Sequence, residues 1–295
     1  FEGGMNLRIS RILRERRAIR GLIVKGALVT LIGGTFITIV VLGWDFRTSI
    51  LFGTLIVVTG PTVITPLLKR IRVHHGVSTI LEAEGILLDA IGAIVAVVAL
   101  EIAISPSGLS FVTGLYHIIS RLGVGAVLGV SGGYLLTLLF RFRELIPDGL
   151  ENVFILSWVI ALFQVSNTIS PESGIAAVTI AGMTIGNSKT YIQQDLLEFK
   201  EQLTVLMIGM LFILLSADVR IEQIISLGIP GLITVAMLIF LIRPLSVFIG
   251  TENSGLDIKQ KLLLSWIAPR GIVAAAVASL FVYELEMHGF DSTQL

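Results

Sequence analysis

Nine long apolar stretches are the feature that most limits what this chain can fold into. A helix needs about 20 mostly apolar residues to cross a bilayer. Stretches of that kind, or a little shorter, lie at about 21–43, 48–68, 78–104, 118–140, 149–167, 173–186, 201–217, 226–250 and 260–284. They predict an all-α polytopic membrane protein with about nine spans. Two of the nine are interrupted, the second by Gly60-Pro61 and the ninth by Pro269-Arg270-Gly271.

Composition excludes the other classes. The chain is 54% hydrophobic and 14% charged, whereas a soluble domain is about 25% charged. Its mean hydropathy is +0.92. So much apolar surface rules out a disordered chain. There is no cysteine, hence no disulfide framework, thiolate metal site or cysteine nucleophile. Four histidines, of which only His74 and His75 are neighbours, do not make a metal site. The net charge is zero, so nothing calls for a nucleic-acid partner.

The loops give the spans a direction. Call the side of the N-terminal basic loop side A. The loops on that side hold Arg8, Arg11, Arg14, Arg16, Arg17 and Arg20, then Lys69, Arg70 and Arg72, then Arg141 and Arg143, then Lys189 and Lys200, then Lys259 and Lys261. These are 15 of the 21 basic residues. Side B has at most Arg47, Arg121 and Arg220. By the positive-inside rule side A is cytoplasmic, and a multi-pass protein of a bacterial plasma (inner) membrane is expected. Residue 1 is Phe and the ninth span ends close to the last residue. The expectation is one membrane domain over 1–295, a piece of a longer protein with segments before and after it. Segment 188–200 is too polar to span and reads as a connector on side A, either interfacial or solvated.

A charge near the bilayer centre costs at least about 2.5–3.5 kcal/mol, so charges inside spans need partners or a task. Asp89 lies near the middle of the third span, Glu84 lies five residues before it, and Arg270 is inside the ninth. Glu82, Glu101 and Arg243 lie nearer to span ends, where side chains can snorkel. Pairing Glu84 with Arg270 is the simplest account of those two. Asp89 then has no evident partner. Low dielectric penalises the charged form of a carboxyl group. A carboxyl so placed holds a proton or trades it for a cation, which is the chemistry of an exchange site.

The two interruptions point the same way. Proline removes a helical N–H and clashes with the preceding turn. Irregular backbone inside a membrane persists only where protein or a cavity satisfies it. Broken helices at corresponding places in two halves mark transporter binding sites. Here each broken span follows a long unbroken one, and the two run in opposite directions. That fits an inverted repeat with Gly60, Pro61, Pro269 and Gly271 as unwound backbone. By contrast, Gly125, Gly129 and Gly133, together with Gly174, Gly182 and Gly186, read as faces for close helix packing. His74 and His75 read as a loop pair.

An ordered set of motifs now resembles a family, the monovalent cation:proton antiporters of the NhaP and sodium/hydrogen-exchanger type. Phe1-Glu2-Gly3-Gly4 looks like the end of the family's third helix. Thr59-Gly60-Pro61 stands where the family has Thr-Asp-Pro. Glu84-Gly85-Ile86-Leu87-Leu88-Asp89 is similar to its Glu-x-x-x-Asn-Asp segment. Ser170–Gly186 is similar to its small-residue helix. Arg243-Pro244-Leu245-Ser246-Val247 and Trp266-Ile267-Ala268-Pro269-Arg270-Gly271 are similar to two late motifs. The resemblance implies an inverted-repeat antiporter fold of the NhaA/NhaP kind with two discontinuous crossing helices. It implies that Asp89 carries cation and proton in turn, and that Thr59 and Glu2 line the site. It further implies that Glu84 and Arg270 hold the core, and that a homodimer moves by elevator-like alternating access without a cofactor. Leu88 and Gly60 depart from the family pattern and leave fewer polar groups around Asp89.

The expected function is therefore exchange of Na⁺, or K⁺ or Li⁺, for H⁺ rather than enzymatic catalysis. A proton-uncoupled cation channel would use the same acid-lined spans. A non-transporting membrane sensor fits if Leu88 and Gly60 abolish the ion site. An intramembrane hydrolase would need a nucleophile and base, or paired aspartates, that these spans do not offer.

Overall fold

The computed structural model describes residues 1–61, 64, 67–68, 71, 73–104, 111–141, 150–188, 194–218, 225, 227–268 and 271–289. Every regular element among the described residues is a helix. Five are long and apolar enough to cross a membrane unbroken. We label these α3 (Arg16–Leu42), α5 (His75–Ile104), α6 (Phe111–Arg141), α7 (Glu151–Ile169) and α10 (Gly228–Gly250). Shorter ones are α1 (Glu2–Asn6), α2 (Ile9–Arg14), α4 (Phe46–Val57), α8 (Ser173–Gly186), α11 (Ile258–Trp266) and α12 (Ile272–Met287). The remaining one, α9, covers Gln194–Asp218. It joins the end of the expected connector to the seventh span in a single helix, and residues 189–193 of that connector lie outside the described residues.

Both interruptions appear, one directly before Pro61 and one in the described residues on either side of 269–270. Helix α4 ends at Val57, residues 58–60 are non-helical, and the chain is helical again at Pro61. Proline suits the first helical position because its missing N–H has no helical partner there anyway. Helix α11 ends at Trp266, Ile267 and Gly271 are extended, and α12 starts at Ile272. The unbroken helix that precedes each broken span, α3 and α10 in turn, contains widened π turns, at Leu22–Gly26, Thr38–Leu42 and Leu238–Ile242.

The sequence offers no linker, yet the chain forms two compact units. The first holds Phe1–Ser10 and Leu115–Leu214, the second Arg11–Gly114 and Leu215–Leu295. In the first unit α8 is the hub, and its small residues let other backbones touch it. A Cβ on Gly129 of α6 would lie 2.5 Å from the Ala177 oxygen, and one on Gly133 would lie 2.8 Å from the Ala181 oxygen. Gly4 of α1 meets Thr179 in the same way. Asn187, at the end of α8, donates to the Leu7 carbonyl and accepts from the Ile9 amide.

In the second unit α3 crosses α10 with Gly21 against Gly250 and Gly26 against Ser246. Asp45 starts α4 as its N-cap, accepting from the Thr48 amide and hydroxyl. Large apolar side chains such as Val24, Leu28, Phe36 and Val40 on α3, and Ile229 and Leu232 on α10, are more than half exposed. Apolar surface on that scale needs lipid or a partner to cover it.

Candidate functional site

The site is built where the two breaks in the second unit touch. A Cβ on Gly60 would lie 2.9 Å from Gly271 Cα, and one on Gly271 would lie 2.8 Å from Gly60 Cα. Real Cβ atoms do not approach backbone so closely, so only glycine at both positions lets the two segments cross at this distance. Helix α5 lies alongside with small residues on either side of Asp89. A Cβ on Gly85 would be 3.3 Å from the Gly60 oxygen, and one on Gly92 would be 2.9 Å from Val58 Cα. Gly85, Asp89 and Gly92 share one face by helical spacing. That face presents Asp89 to the crossing, with Oδ1 3.8 Å from the position a Gly60 Cβ would take. Oδ1 is buried and has no hydrogen-bond partner.

Four half-helix ends converge here, and their dipoles select their neighbours. The chain resumes helix at Pro61 and at Ile272, so both N-terminal, partly positive ends lie at the crossing where Asp89 sits. The C-terminal end of α11 instead meets a cation. Arg243 Nη2 donates to the carbonyls of Leu264 and Ile267 at 3.0 and 2.9 Å. These are among the carbonyls that a helix leaves without partners at its end.

Arg243 is also the partner of Glu84. Its two terminal nitrogens bind the two carboxylate oxygens, Nη1 to Oε1 and Nη2 to Oε2 at 3.0 Å. Both side chains are buried, at 7% and 2% exposure. The structure thus gives Glu84 a different partner from the expected Arg270, which lies outside the described residues together with Pro269. It also takes Arg243 away from the span end to which the sequence reading assigned it. The spans themselves held a signal for this. Counted from the side A ends of the spans read from sequence, Glu84 is about 9 Å deep, Arg243 about 10 Å and Arg270 about 15 Å at 1.5 Å per residue. Depth matching therefore favours Arg243. The π turn at Leu238–Ile242 directly precedes it, and such turns often occur at functional sites.

Thr59 is buried and its hydroxyl donates to the Glu84 carbonyl at 3.2 Å. Thr59, Glu84, Arg243, Ser246, Thr30 and Leu88 share the lining of one small cavity. Leu88 is thus an apolar wall beside the polar groups. Glu82 accepts from the Ser78 hydroxyl at 3.2 Å. Glu2 belongs to the first unit, where its carboxylate accepts from Thr204 Oγ1. Among the described residues no three histidine, aspartate or glutamate side chains gather as a metal site. The arrangement offers one carboxylate oxygen without a partner, one nearby hydroxyl and the unwound backbone of residues 58–60.

Comparison with known proteins places this geometry. The family described as the transmembrane sodium/hydrogen exchanger matches residues 1–294. Na(+)/H(+) antiporter 1 of Methanocaldococcus jannaschii is 29% identical over 293 residues, covering 94% of this chain and 66% of the relative. The K(+)/H(+) antiporter NhaP2 of Shewanella sp. strain ANA-3 is 26% identical over 285 residues, covering 94% of this chain and 48% of the relative. The chain thus spans about half to two thirds of the length of these curated relatives. The structure of the sodium proton antiporter MjNhaP1 from M. jannaschii at pH 8 superposes with a TM-score of 0.84. It is 27% identical and covers 98% of this chain and 71% of that one.

Proposed function

Because the chain belongs to the transmembrane sodium/hydrogen exchanger family, we propose that the protein of which it is part exchanges a monovalent cation for H⁺ at Asp89. The observation that carries the proposal is the buried, unpartnered Oδ1 of Asp89 beside the two crossing breaks. A carboxylate in low dielectric needs a compensating positive charge. A proton and a cation compete for that place, so each visit carries one or the other. Competition at one group, with the site open to one side at a time, is sufficient to couple the two fluxes.

The other residues take supporting roles. The Thr59 hydroxyl uses its hydrogen on the Glu84 carbonyl, which leaves its oxygen lone pairs for the cation. Carbonyls freed at residues 58–60 supply further oxygen ligands, and the helix N-terminal ends at Pro61 and Gly271 balance the ionised carboxylate. Glu84 and Arg243 tie α5 to the end of α11 and keep the crossing in register. The side chains of Leu88 and Gly60 add no further carboxylate, so one carboxylate trades one proton for one monovalent cation. That is electroneutral exchange. Na⁺ is the preferred reading, since the relative named for Na⁺/H⁺ antiport is 29% identical and the one named for K⁺/H⁺ antiport 26%. The protein extrudes its cation from the cytoplasm across a bacterial inner membrane, works as a homodimer by alternating access and needs no cofactor.

The test uses the full-length protein in everted vesicles with a fluorescent probe of the proton gradient. Na⁺, K⁺ or Li⁺ is added to wild type and to Asp89→Asn. Wild type is expected to dissipate the gradient with at least one cation, and Asp89→Asn with none. Coupled exchange by Asp89→Asn would refute the role of Asp89. Cation flux without proton movement in wild type would replace the exchanger by a channel.

A further inference from the structure

A second polar cavity lies at the side A end of the second unit, away from Asp89. It is lined by Arg11, Arg14, Glu15, His75, Gly76 and Thr79 and has a volume of about 250 Å³. A water molecule takes about 30 Å³ in the liquid, so a phosphate-sized group fits with some of its hydration. The sequence reading set His75 aside in a loop pair, but it is the first residue of α5. The start of a helix is its partly positive end and draws anions. The first turn of α5 has no acidic residue to answer that charge. The Gly76 amide bonds His74 Nδ1 at 3.3 Å, so the attraction rests on the dipole and the side chains around it.

Those side chains carry a surplus of positive charge. Arg11 and Arg14 are exposed, and neither makes an ion pair among the described residues. Guanidinium groups bind phosphate oxygens in pairs, and the His75 ring adds an N–H donor. The one acid in the lining is Glu15, whose Oε1 lies 3.0 Å from the position a Gly76 Cβ would take. Glu82, further along α5, feels the charge of Arg11. The first and third spans read from sequence begin at about residues 21 and 78, so Arg11, Arg14 and His75 stand just outside them on side A, at the level of lipid headgroups. Leu13, between the two arginines on α2, is 58% exposed. An apolar side chain flanked by arginines suits the boundary between headgroups and acyl chains. Six arginines lie between positions 8 and 20, and basic clusters next to a span on the cytoplasmic side recognise anionic lipids.

We propose that this cavity binds a phosphate group, and that the headgroup of an anionic lipid in the side A leaflet brings it. Because α5 also carries Glu84 and Asp89, an occupied cavity ties the helix of the exchange site to the membrane surface. Binding there does not depend on which ion Asp89 carries.

The test titrates full-length protein in detergent with a fluorescent phosphatidylglycerol, with unlabelled phosphatidylglycerol, phosphatidylcholine and inorganic phosphate as competitors. Unlabelled phosphatidylglycerol is expected to displace the probe at far lower concentration than the other two. Arg11→Gln with Arg14→Gln is expected to weaken binding about thirtyfold, which is about 2 kcal/mol at about 1.4 kcal/mol per tenfold, about half of it from each arginine. Arg16→Gln with Arg17→Gln removes the same charge from the same basic run outside the cavity and is expected to keep most of the affinity. His75→Ala is expected to weaken binding less than the Arg11 and Arg14 pair, and it decides the matter if that pair does not fold. Equal loss in the two arginine pairs would overturn the cavity and leave diffuse attraction by the basic run. Wild-type affinity in both the Arg11 and Arg14 pair and His75→Ala would overturn it as well. Displacement by inorganic phosphate as readily as by phosphatidylglycerol would overturn the lipid as the source of the phosphate.

Discussion

Both units use glycine to bring backbones together, but to different ends. In the first unit Gly125, Gly129 and Gly133 of α6 lie along α8 with their places opposite Ala176, Ala177 and Ala181. The helices there are continuous, so their backbone groups are satisfied within each helix. In the second unit Gly60 and Gly271 meet where two helices are broken. There the close approach joins four helix ends, a buried ion pair and an unpartnered carboxylate oxygen. Close contact by itself makes a packed seam. Close contact between interrupted helices exposes backbone charge inside the protein, and the charged side chains follow from that.

The comparison can be broken from its strongest point downward. Removing one partner of a buried ion pair leaves the other charge uncompensated, at a cost of about 3–5 kcal/mol. Arg243→Met should therefore unfold the second unit first and give little detergent-stable protein in a thermal unfolding assay. Replacing Glu84 and Arg243 together by leucine and methionine should restore much of that stability. If Arg243→Met alone were as stable as wild type, the pair would not hold the crossing.

Glycine substitutions compare the two units directly. Forcing a methyl group into tight packing costs about 1–3 kcal/mol. Gly271→Ala and Gly129→Ala should both lower the melting temperature. Only Gly271→Ala should also slow exchange per folded molecule, because it parts the two breaks beside Asp89. Equal loss of specific activity in both variants would erase the distinction between seam and site.

The smallest effect lies at the entry to α4. The Thr48 hydroxyl, bonded to the Asp45 carboxylate, holds that group below the ordinary aspartate range. A lowered folded-state value means that its stabilisation is present above about pH 4 and lost as the pH falls through the folded value. Asp45→Ala should cost about 1 kcal/mol as a lost N-cap. Asp45→Asn should keep the cap and remove only this acid dependence, without altering exchange at neutral pH. A melting temperature unchanged by Asp45→Ala would show that α4 is held by its packing alone.

Much of this could be read from local chemistry. Prolines at 61 and 269 announced the breaks, because a missing N–H and a clashing ring act within one turn whatever surrounds them. Asp89 stood out because a carboxylate amid apolar residues is costly in any fold. Residues further apart in the chain were less legible. Glu84 and Arg243 are 159 positions apart, and two basic residues, Arg243 and Arg270, lie inside late spans, so charge alone does not say which of them Glu84 meets. The division into two units left no linker in the sequence, since the chain passes between them inside or near helices.

By itself, then, the sequence determined an all-helical membrane chain with two interrupted spans and one carboxylate standing apart from partners. Hydrophobicity and proline chemistry act locally, and local chemistry is written in order along the chain. The tertiary structure decided which ends meet. It set Gly60 against Gly271, turned Asp89 toward their contact, gave Glu84 to Arg243, and packed Leu51, Val58 and Phe281 into one buried apolar cluster. Those choices depend on how helices cross and how deep each side chain lies, and no stretch of sequence encodes either alone.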